Sequence, residues 1–197
     1  MIIAFFDFDG TITNTDTLWQ IIRYQKGPGA MYRGILRLLP ALLQFKLKQI
    51  PAQKMKEKVL RHFFSDMKES DFQAGCNAFC KDALPKMIRI KALDAIREHQ
   101  RSGHEVVVVT ASAYNWVAPW CEQHNIRCIG SVMEVMDEAI TGKLQGINCN
   151  GEEKVNRIKQ VYNLNDYTEI YAYGDSSGDK PMLALAGNKA NFKPFRN

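Results

Sequence analysis

The sequence predicts an α/β protein with a Rossmann-like, doubly wound parallel sheet and an inserted all-helical cap. Short apolar stretches rich in β-branched residues alternate with stretches of helical periodicity, a pattern typical of parallel strands joined by helices. Residues 17–83, in contrast, carry helical signals only. We therefore expect residues 1–16 and 84–197 to form the core domain and residues 17–83 to form the cap.

Composition indicates a soluble globular protein of 197 residues, with 46% hydrophobic and 24% charged residues. The five cysteines are odd in number and scattered, which does not indicate a disulfide framework or a zinc site. The spacing of Cys76 and Cys80 places both on one helical face. The first apolar run is broken by Asp7 after a few residues, so it is not typical of a signal peptide, and we expect a cytoplasmic location.

The chain opens with a predicted buried strand that ends in two carboxylates. Residues 2–6 are apolar, β-branched and aromatic, as in a strand of a parallel sheet. Asp7 and Asp9 follow at its carboxyl end, the edge of an open α/β sheet where ligands bind. Because like charges this close repel each other, a divalent cation or a retained proton would explain the pair. An Asp-rich turn that caps the next helix, with Gly10 supplying its geometry, is the alternative.

The predicted cap is strongly basic. Residues 17–65 contain ten Lys and Arg but a single acid, Glu57, so this segment carries a charge of +9 while the rest of the chain, with 16 bases and 20 acids, carries −4. Such asymmetry indicates an anionic partner or substrate, with a solvated helical face as the alternative. We expect no nucleic-acid partner. The ten bases are Arg23, Lys26, Arg33, Arg37, Lys46, Lys48, Lys54, Lys56, Lys58 and Arg61.

The cap also contains a leucine-rich stretch between Arg37 and Lys46. A membrane-spanning helix needs ~20 mostly apolar residues, and this run is much shorter. It is compatible with a kinked amphipathic helix in weak contact with an anionic membrane surface, or with a helix hairpin that packs over the core and buries its leucines. We favour packing over the core.

The remaining elements alternate between helices and strands. In the cap, Asp16 and Thr17 start a predicted helix that ends at Gly27-Pro28-Gly29, and further helices begin at Pro51 and Ser70. Beyond the cap, helices are predicted over 88–100, 114–124 and 152–162 and from Pro181, strands over 105–109, 127–129, 169–173 and 190–192, and a hairpin over 131–149 with turn signals at Asp137-Glu138 and Thr141-Gly142.

Polar groups recur at the ends of these strands. Thr110-Ala111-Ser112 follows four consecutive valines, and Asp175 and Asp179 follow the strand at 169–173. Lys154 lies in the first turn of a helix, where a cation faces the positive end of the helix dipole unless an anion is close. Since the carboxyl ends of parallel strands share one edge, these groups converge with the first acid pair. Their chemistry suits Mg²⁺ and a phosphate.

Four motifs appear in the order DFDGT, VVVVTAS, the lysine of GEEK, and GDSSGD, and the match spans the core from residue 3 to residue 180. This pattern resembles the haloacid dehalogenase-like (HAD) phosphohydrolase superfamily. The helical insertion after the first motif looks like that superfamily's type 1 cap. TITNTDT and ITGKLQGINCNGEEKVNRI make the chain similar to the phosphoserine phosphatase-like branch, subfamily IB.

The resemblance implies a catalytic role for each motif. Asp7 would attack phosphorus to form an aspartyl-phosphate, and Asp9 would act as general acid and then as general base. The implied Mg²⁺ ligands are Asp7, Asp9 through its backbone carbonyl, Asp175 and Asp179, the last through metal-bound water. The implied phosphate-binding residues are Gly10, Thr110, Ala111 and Lys154.

Two departures from the branch bear on the substrate. Phosphoserine phosphatases carry an asparagine where this chain has Gly178, and a glutamate that reads the substrate amino group where this chain has Asp16. Arg23 is a candidate for the cap arginine that holds a substrate carboxylate, as are Arg33, Arg37 and Arg61. We therefore predict Mg²⁺-dependent hydrolysis of a small anionic phosphomonoester.

Three other functions share features with this prediction. The basic, leucine-rich cap is also compatible with a phosphatidylglycerophosphate-type lipid-phosphate phosphatase that works at a membrane surface. Transfer of the phosphoryl group to an alcohol other than water fits the same residues as hydrolysis. A receiver-like phosphoaspartate signalling module uses similar residue types, but the spacing of Asp7 and Asp9 and the second acid pair argue against it.

Overall fold

The computed structural model describes residues 1–196. A five-stranded, wholly parallel sheet has the order β3-β2-β1-β6-β7, and a separate antiparallel hairpin contains β4 and β5. The strands are Ile2–Phe6 (β1), Glu105–Ala113 (β2), Arg127–Ser131 (β3), Met133–Met136 (β4), Ala139–Leu144 (β5), Glu169–Gly174 (β6) and Ala190–Phe192 (β7).

Within residues 1–196, seven α-helices accompany the strands. They are Thr17–Lys46 (α1), Ala52–Phe64 (α2), Glu69–Asp82 (α3), Ile90–Arg101 (α4), Tyr114–Gln123 (α5), Glu152–Val161 (α6) and Lys180–Ala184 (α7). The predicted end of the first helix at Gly27-Pro28-Gly29 is an interruption only: Gly27 adopts φ 79° and ψ 159°, and helical geometry resumes beyond it. The restart is compatible with Pro28, because proline is tolerated in the first turn of a helix.

Helices cover both faces of the sheet, as predicted. Along β1, Ala4 and Phe6 pack into a cluster with α4, α5 and the cap, whereas Ile3 and Phe5 pack into a second cluster with α6 and α7. This alternation is the period-2 geometry of a strand that is buried on both sides. Because the first cluster also includes cap residues, the cap and the sheet share one continuous apolar core.

Strand β2 is longer than predicted. The sequence places Thr110-Ala111-Ser112 after the strand, but β2 continues through them to Ala113. Its pairing with β3 is irregular between Val109 and Ala113. The polar residues therefore lie on the last residues of a strand that is distorted at its carboxyl end.

The hairpin packs against the cap. The backbone N–H of Asp66 donates to the carbonyl oxygen of Ile140 at 3.0 Å, and β5 lies against α2. The predicted turn at Asp137-Glu138 is confirmed, since both residues have positive φ. The predicted turn signal at Thr141-Gly142 is wrong: Gly142 lies within β5, where a Cβ atom would collide with the backbone of Arg61. That glycine permits close packing of the strand on α2.

The prediction that packing buries the leucine-rich stretch is only partly confirmed. Leu38 and Leu42 are half-buried against the core, but Leu36, Leu39 and Leu43 are exposed. One side of α1 packs on the protein and the other faces away from it. Within residues 1–196, no helix combines the length and hydropathy needed to cross a membrane.

Candidate active site

The first motif forms a tight turn at the carboxyl end of β1. The turn covers Phe8–Ile12, and Asp7 is tied to β6 because its backbone N–H donates to the Tyr173 carbonyl oxygen at 2.9 Å. Gly10 has φ 77°, and a Cβ atom at this position would collide with the carboxylate of Asp175. Both the left-handed conformation and the close approach favour glycine. The turn thus brings two of the acidic motifs together.

Lys154 is the centre of the buried charge network. Its Nζ donates to Asp7 Oδ1 at 2.6 Å, to Asp179 Oδ1 at 2.6 Å and to the Val109 carbonyl oxygen at 2.7 Å. The lysine side chain is 1% exposed. The three donors of the ammonium group are thereby all used, as a buried charge requires. The contacts join β1, β2, α6 and the segment after β6, which contains Asp179.

Burial and Lys154 shift the pKa values of this network in different directions. Burial raises the pKa of Asp7 to about 7, although Lys154 acts against the rise. The pKa of Lys154 lies above its ordinary value because Asp7 and Asp179 outweigh its burial. For Asp179, burial is outweighed by Lys154 and by hydrogen bonds from Ser176, so the pKa lies below its ordinary value. Asp179 is thus the more firmly ionised of the two carboxyls.

The Asp9 side chain faces the cap. Its Oδ1 accepts a hydrogen bond from the Thr17 backbone N–H at 2.7 Å, and its Oδ2 accepts one from Ser112 Oγ. Thr17 Oγ1 in turn lies 3.2 Å from Ser112 Oγ and accepts from Trp116 Nε1 at 3.0 Å. Asp9 therefore contacts both the start of α1 and the end of β2. It is the predicted site acid that joins the core to the cap.

Three predicted acids form a cluster suited to a cation. Single carboxylate oxygens of Asp7, Asp175 and Asp179 all lie within 4.8 Å of one another. A hard divalent cation such as Mg²⁺ prefers oxygen ligands of this type, so the donor set fits the predicted metal. The side chain of Asp9 is not part of the cluster. Asp175 also forms a salt bridge with Arg196.

One cavity of about 690 Å³ brings most of the predicted site residues together. Arg23 is exposed and is not among the residues that line this cavity, although it was a candidate for substrate binding. Asp16 does line it, and its Oδ1 also caps α1 by accepting from the Leu18 N–H at 2.9 Å. The predicted residues that line the cavity are Asp7, Asp9, Gly10, Asp16, Thr110, Ala111, Lys154, Asp175 and Asp179.

The cap supplies an apolar wall and one lysine. Of the twelve Lys and Arg residues in the cap, Lys56 alone lines the cavity. Its Nζ donates to the Ala111 carbonyl oxygen and to Asn148 Oδ1, at 2.9 Å for the latter. Burial lowers the pKa of Lys56 to about 8. The apolar part of the wall contains Leu18, Trp19, Leu42, Phe45, Met55 and Val59.

Asn150 is a site residue that the sequence analysis missed. It lines the cavity, and its side-chain oxygen lies where a Cβ atom of residue 178 would be. Gly178 is the position at which the resemblance predicts an asparagine. Asn150 therefore brings a carboxamide to the same place from a different segment, and only a glycine at position 178 leaves room for it. The sequence signal that could have found Asn150 was the absence of an asparagine at position 178.

Comparisons with known proteins agree with this geometry. A protein named CicA from Caulobacter vibrioides is 34% identical to this chain over 193 residues, which cover 97% of this chain and 85% of CicA. The crystal structure of a protein of unknown function from Bordetella pertussis Tohama I has a TM-score of 0.80 at 24% identity, and the match covers 93% of this chain and 86% of that one.

A second solved structure shares the fold. A phosphoserine phosphohydrolase-like protein from Francisella tularensis subsp. tularensis SCHU S4 has a TM-score of 0.67 at 16% identity, with 98% of this chain and 86% of that one covered. The family model for haloacid dehalogenase-like hydrolases matches residues 4–184. The chain therefore belongs to the haloacid dehalogenase-like hydrolase family.

Proposed function

We propose that this hydrolase cleaves phosphomonoesters through an aspartyl-phosphate on Asp7. The observation that carries the proposal is the position of Asp7 in the cavity, with Lys154 on one of its oxygens. A nucleophilic carboxylate must approach the phosphate although both groups are negatively charged and repel each other. The ammonium of Lys154 offsets part of that repulsion, and it can also interact with phosphoryl oxygens.

The two acids of the first motif divide the chemistry. An oxygen of Asp7 attacks phosphorus, the ester bond between phosphorus and the leaving oxygen breaks, and Asp9 gives its proton to that oxygen. In the second step a water molecule attacks the phosphorus of the aspartyl-phosphate, the bond between that phosphorus and the Asp7 oxygen breaks, and Asp9 takes a proton from the water. Inorganic phosphate leaves, and both carboxyls return to their starting states.

Mg²⁺ fits this proposal as the cofactor. The carboxylates of Asp7, Asp175 and Asp179 would hold it, together with the backbone carbonyl of Asp9. When bound, the ion supplies positive charge that offsets the negative charge of the phosphoryl oxygens. Thr110, Ala111 and Gly10 line the same cavity and would contact the phosphoryl group.

The lining of the cavity favours a substrate with one further anionic group and an apolar part. Lys56 is the cap cation that could meet the anionic group, whereas the other cap bases lie outside the cavity. The wall formed by Trp19, Leu42 and Phe45 would contact the apolar part. A small anionic phosphomonoester meets the first requirement.

A lipid phosphate is a second candidate substrate, and the apolar cap wall is the observation that favours it. Leu42 and Phe45 belong to the same leucine-rich stretch of α1 that carries exposed leucines on its other side. An acyl chain would extend the apolar contacts of the wall. A screen of soluble phosphomonoesters against lysophospholipid-type phosphates separates the two candidates by kcat/KM.

The test of the proposed reaction is turnover of p-nitrophenyl phosphate with and without Mg²⁺. We expect activity that EDTA removes and Mg²⁺ restores, and a loss of about a thousandfold or more in Asp7→Asn, because an amide is a poor nucleophile. Asp94→Asn, which changes an exposed acid of α4, is the matched control. Asp7→Asn activity near that of the parent would remove Asp7 from its role, and product analysis would distinguish hydrolysis from transfer to an added alcohol.

A further inference from the structure

The outward side of α1 carries an exposed apolar stripe. Its members recur at spacings of three and four residues, which places them on one side of a helix. The exposed fractions are 62% for Tyr32, 65% for Leu36, 50% for Leu39, 58% for Leu43 and 59% for Leu47, which directly follows α1. The structure leaves this stripe without a covering element, although a continuous exposed apolar patch usually marks an interaction surface.

A basic cavity lies between α1 and α2. It has a volume of about 290 Å³, and its floor contains Phe63. Its charged and titratable residues are Lys26, Arg33, Arg37 and His62, and among residues 1–196 no Asp or Glu lines it. The cavity is separate from the one that contains the catalytic acids, with which it shares no lining residue.

Two arginines of the cavity directly follow stripe residues in the sequence. Arg33 and Arg37 are four residues apart, so their side chains lie next to each other on α1. Leu36, in the stripe, adjoins Arg37 in sequence, and Tyr32 adjoins Arg33. Neither arginine has a salt bridge within the described part of the chain. Two guanidinium groups that face one cavity without an acid are suited to binding an oxyanion, most of all a phosphate.

We infer that the cap docks on an anionic phospholipid bilayer through this surface. The stripe enters the boundary between headgroups and acyl chains, and the basic cavity binds the phosphate of an anionic headgroup. Apolar residues flanked by bases are the pattern of helices that lie in a membrane interface. The charge of the cap complements an anionic surface, since the segment 17–65 carries +9. A purely apolar partner surface would leave the arginines unused.

This inference is independent of the proposed reaction, because docking requires neither Asp7 nor turnover. It does affect access to the catalytic cavity. Leu42 and Phe45, which line that cavity, belong to the same helix as the stripe. Docking through α1 would therefore hold the catalytic cavity close to the bilayer.

The test is sedimentation with vesicles at physiological salt. We expect the protein to bind vesicles of mixed phosphatidylcholine and phosphatidylglycerol but not vesicles of phosphatidylcholine alone. Arg33→Gln with Arg37→Gln should lower the partition coefficient roughly 30-fold, as expected for two surface bases. Leu36→Gln, Leu39→Gln and Leu43→Gln together should abolish binding, and they keep the helix because glutamine is a good helix former.

A matched control removes the same charge elsewhere. Arg97→Gln with Arg101→Gln changes two exposed arginines at the same spacing on α4, and this variant should bind as the parent does. All variants should retain turnover of p-nitrophenyl phosphate, since none of the changed residues lines the catalytic cavity. Equal binding by the parent and both cap variants, or no binding to the mixed vesicles, would overturn the inference. So would a dimer in light scattering that the leucine variant alone disrupts, because the stripe would then be an interface between two copies of the chain.

Discussion

The proposed catalytic edge of the sheet and the surface of the cap differ in how their charged side chains are paired. Lys154 is buried and uses all three of its donors, two of them on carboxylates. Arg33 and Arg37 are exposed and have no salt bridge within residues 1–196. The difference follows from solvation, because a buried charge without a partner costs several kcal/mol, whereas water screens an exposed one.

This contrast shows where residue identity is constrained. At the catalytic edge each charged side chain depends on the others, so one replacement leaves a second group uncompensated. On the surface of the cap, a base can be added or lost at little cost in stability. The proposed catalytic site and the proposed docking surface are thus open to different experiments, the first through stability and turnover and the second through binding.

The largest expected effect is the loss of Lys154. Lys154→Met would leave Asp7 and Asp179 facing each other without a cation, and breaking a buried ion pair costs about 3–5 kcal/mol. We expect the free energy of unfolding, measured with urea at neutral pH, to fall by that amount. Arg33→Gln should change it by no more than about 0.5 kcal/mol. A change of less than about 1 kcal/mol for Lys154→Met would show that the network contributes little to stability.

Much of the candidate active site is predictable from sequence because the topology of the parallel sheet brings its residues to one edge. Asp7, Thr110 and Asp175 each lie at the end of a recognisable strand, and parallel strands bring those ends to one edge. Lys154 was notable as a cation in the first turn of a helix, and its two carboxylate partners explain that position. Local sequence signals and global topology agree here, so the convergence could be inferred before the distances were known.

The cap was less predictable because its details depend on packing between distant segments. Lys56 is one of three lysines within five residues, and its selection for the site depends on how α2 meets Ala111 and Asn148. The side of α1 that faces solvent depends in the same way on contacts with α2 and the core. Gly142 has the sequence signal of a turn, but its role is close packing against Arg61.

Asn150 provides the second prediction, which concerns the catalytic site. If its carboxamide contacts the phosphoryl group, Asn150→Ala should lower kcat/KM by roughly 30-fold, the value of one hydrogen bond to a charged group at about 2 kcal/mol. The relocation variant, Asn150→Gly with Gly178→Asn, should recover most of that loss, because it returns an asparagine to the position expected from the phosphoserine phosphatase-like branch. Steady-state kinetics on p-nitrophenyl phosphate supply both values.

A structural role for Asn150 would give a different result. Asn150→Ala would then lower the free energy of unfolding together with activity, and the relocation variant would recover neither. Unchanged kcat/KM in Asn150→Ala would remove the residue from the phosphate site altogether.

The smallest expected effect concerns the pH dependence that Lys56 imparts. Burial lowers the pKa of Lys56 to about 8, so the ammonium loses its proton above that pH, and the site loses the cap cation that would meet an anionic substrate. We expect kcat/KM, which reports the free enzyme, to fall by up to about tenfold per pH unit above pH 8. Lys56→Arg should flatten this fall, since a guanidinium stays charged throughout the range.

Two checks separate Lys56 from other titrating groups. Lys58→Arg makes the same change at an exposed position outside the cavity and should keep the fall in kcat/KM.

The free energy of unfolding should change with pH in the direction opposite to kcat/KM. Because the pKa of Lys56 is lower in the folded state than its ordinary value of 10.5, the unfolded state binds more protons between those two values, so the free energy of unfolding rises with pH across that window. A fall in kcat/KM that persists in Lys56→Arg would assign the transition to a different group and leave Lys56 as a contact between cap and core.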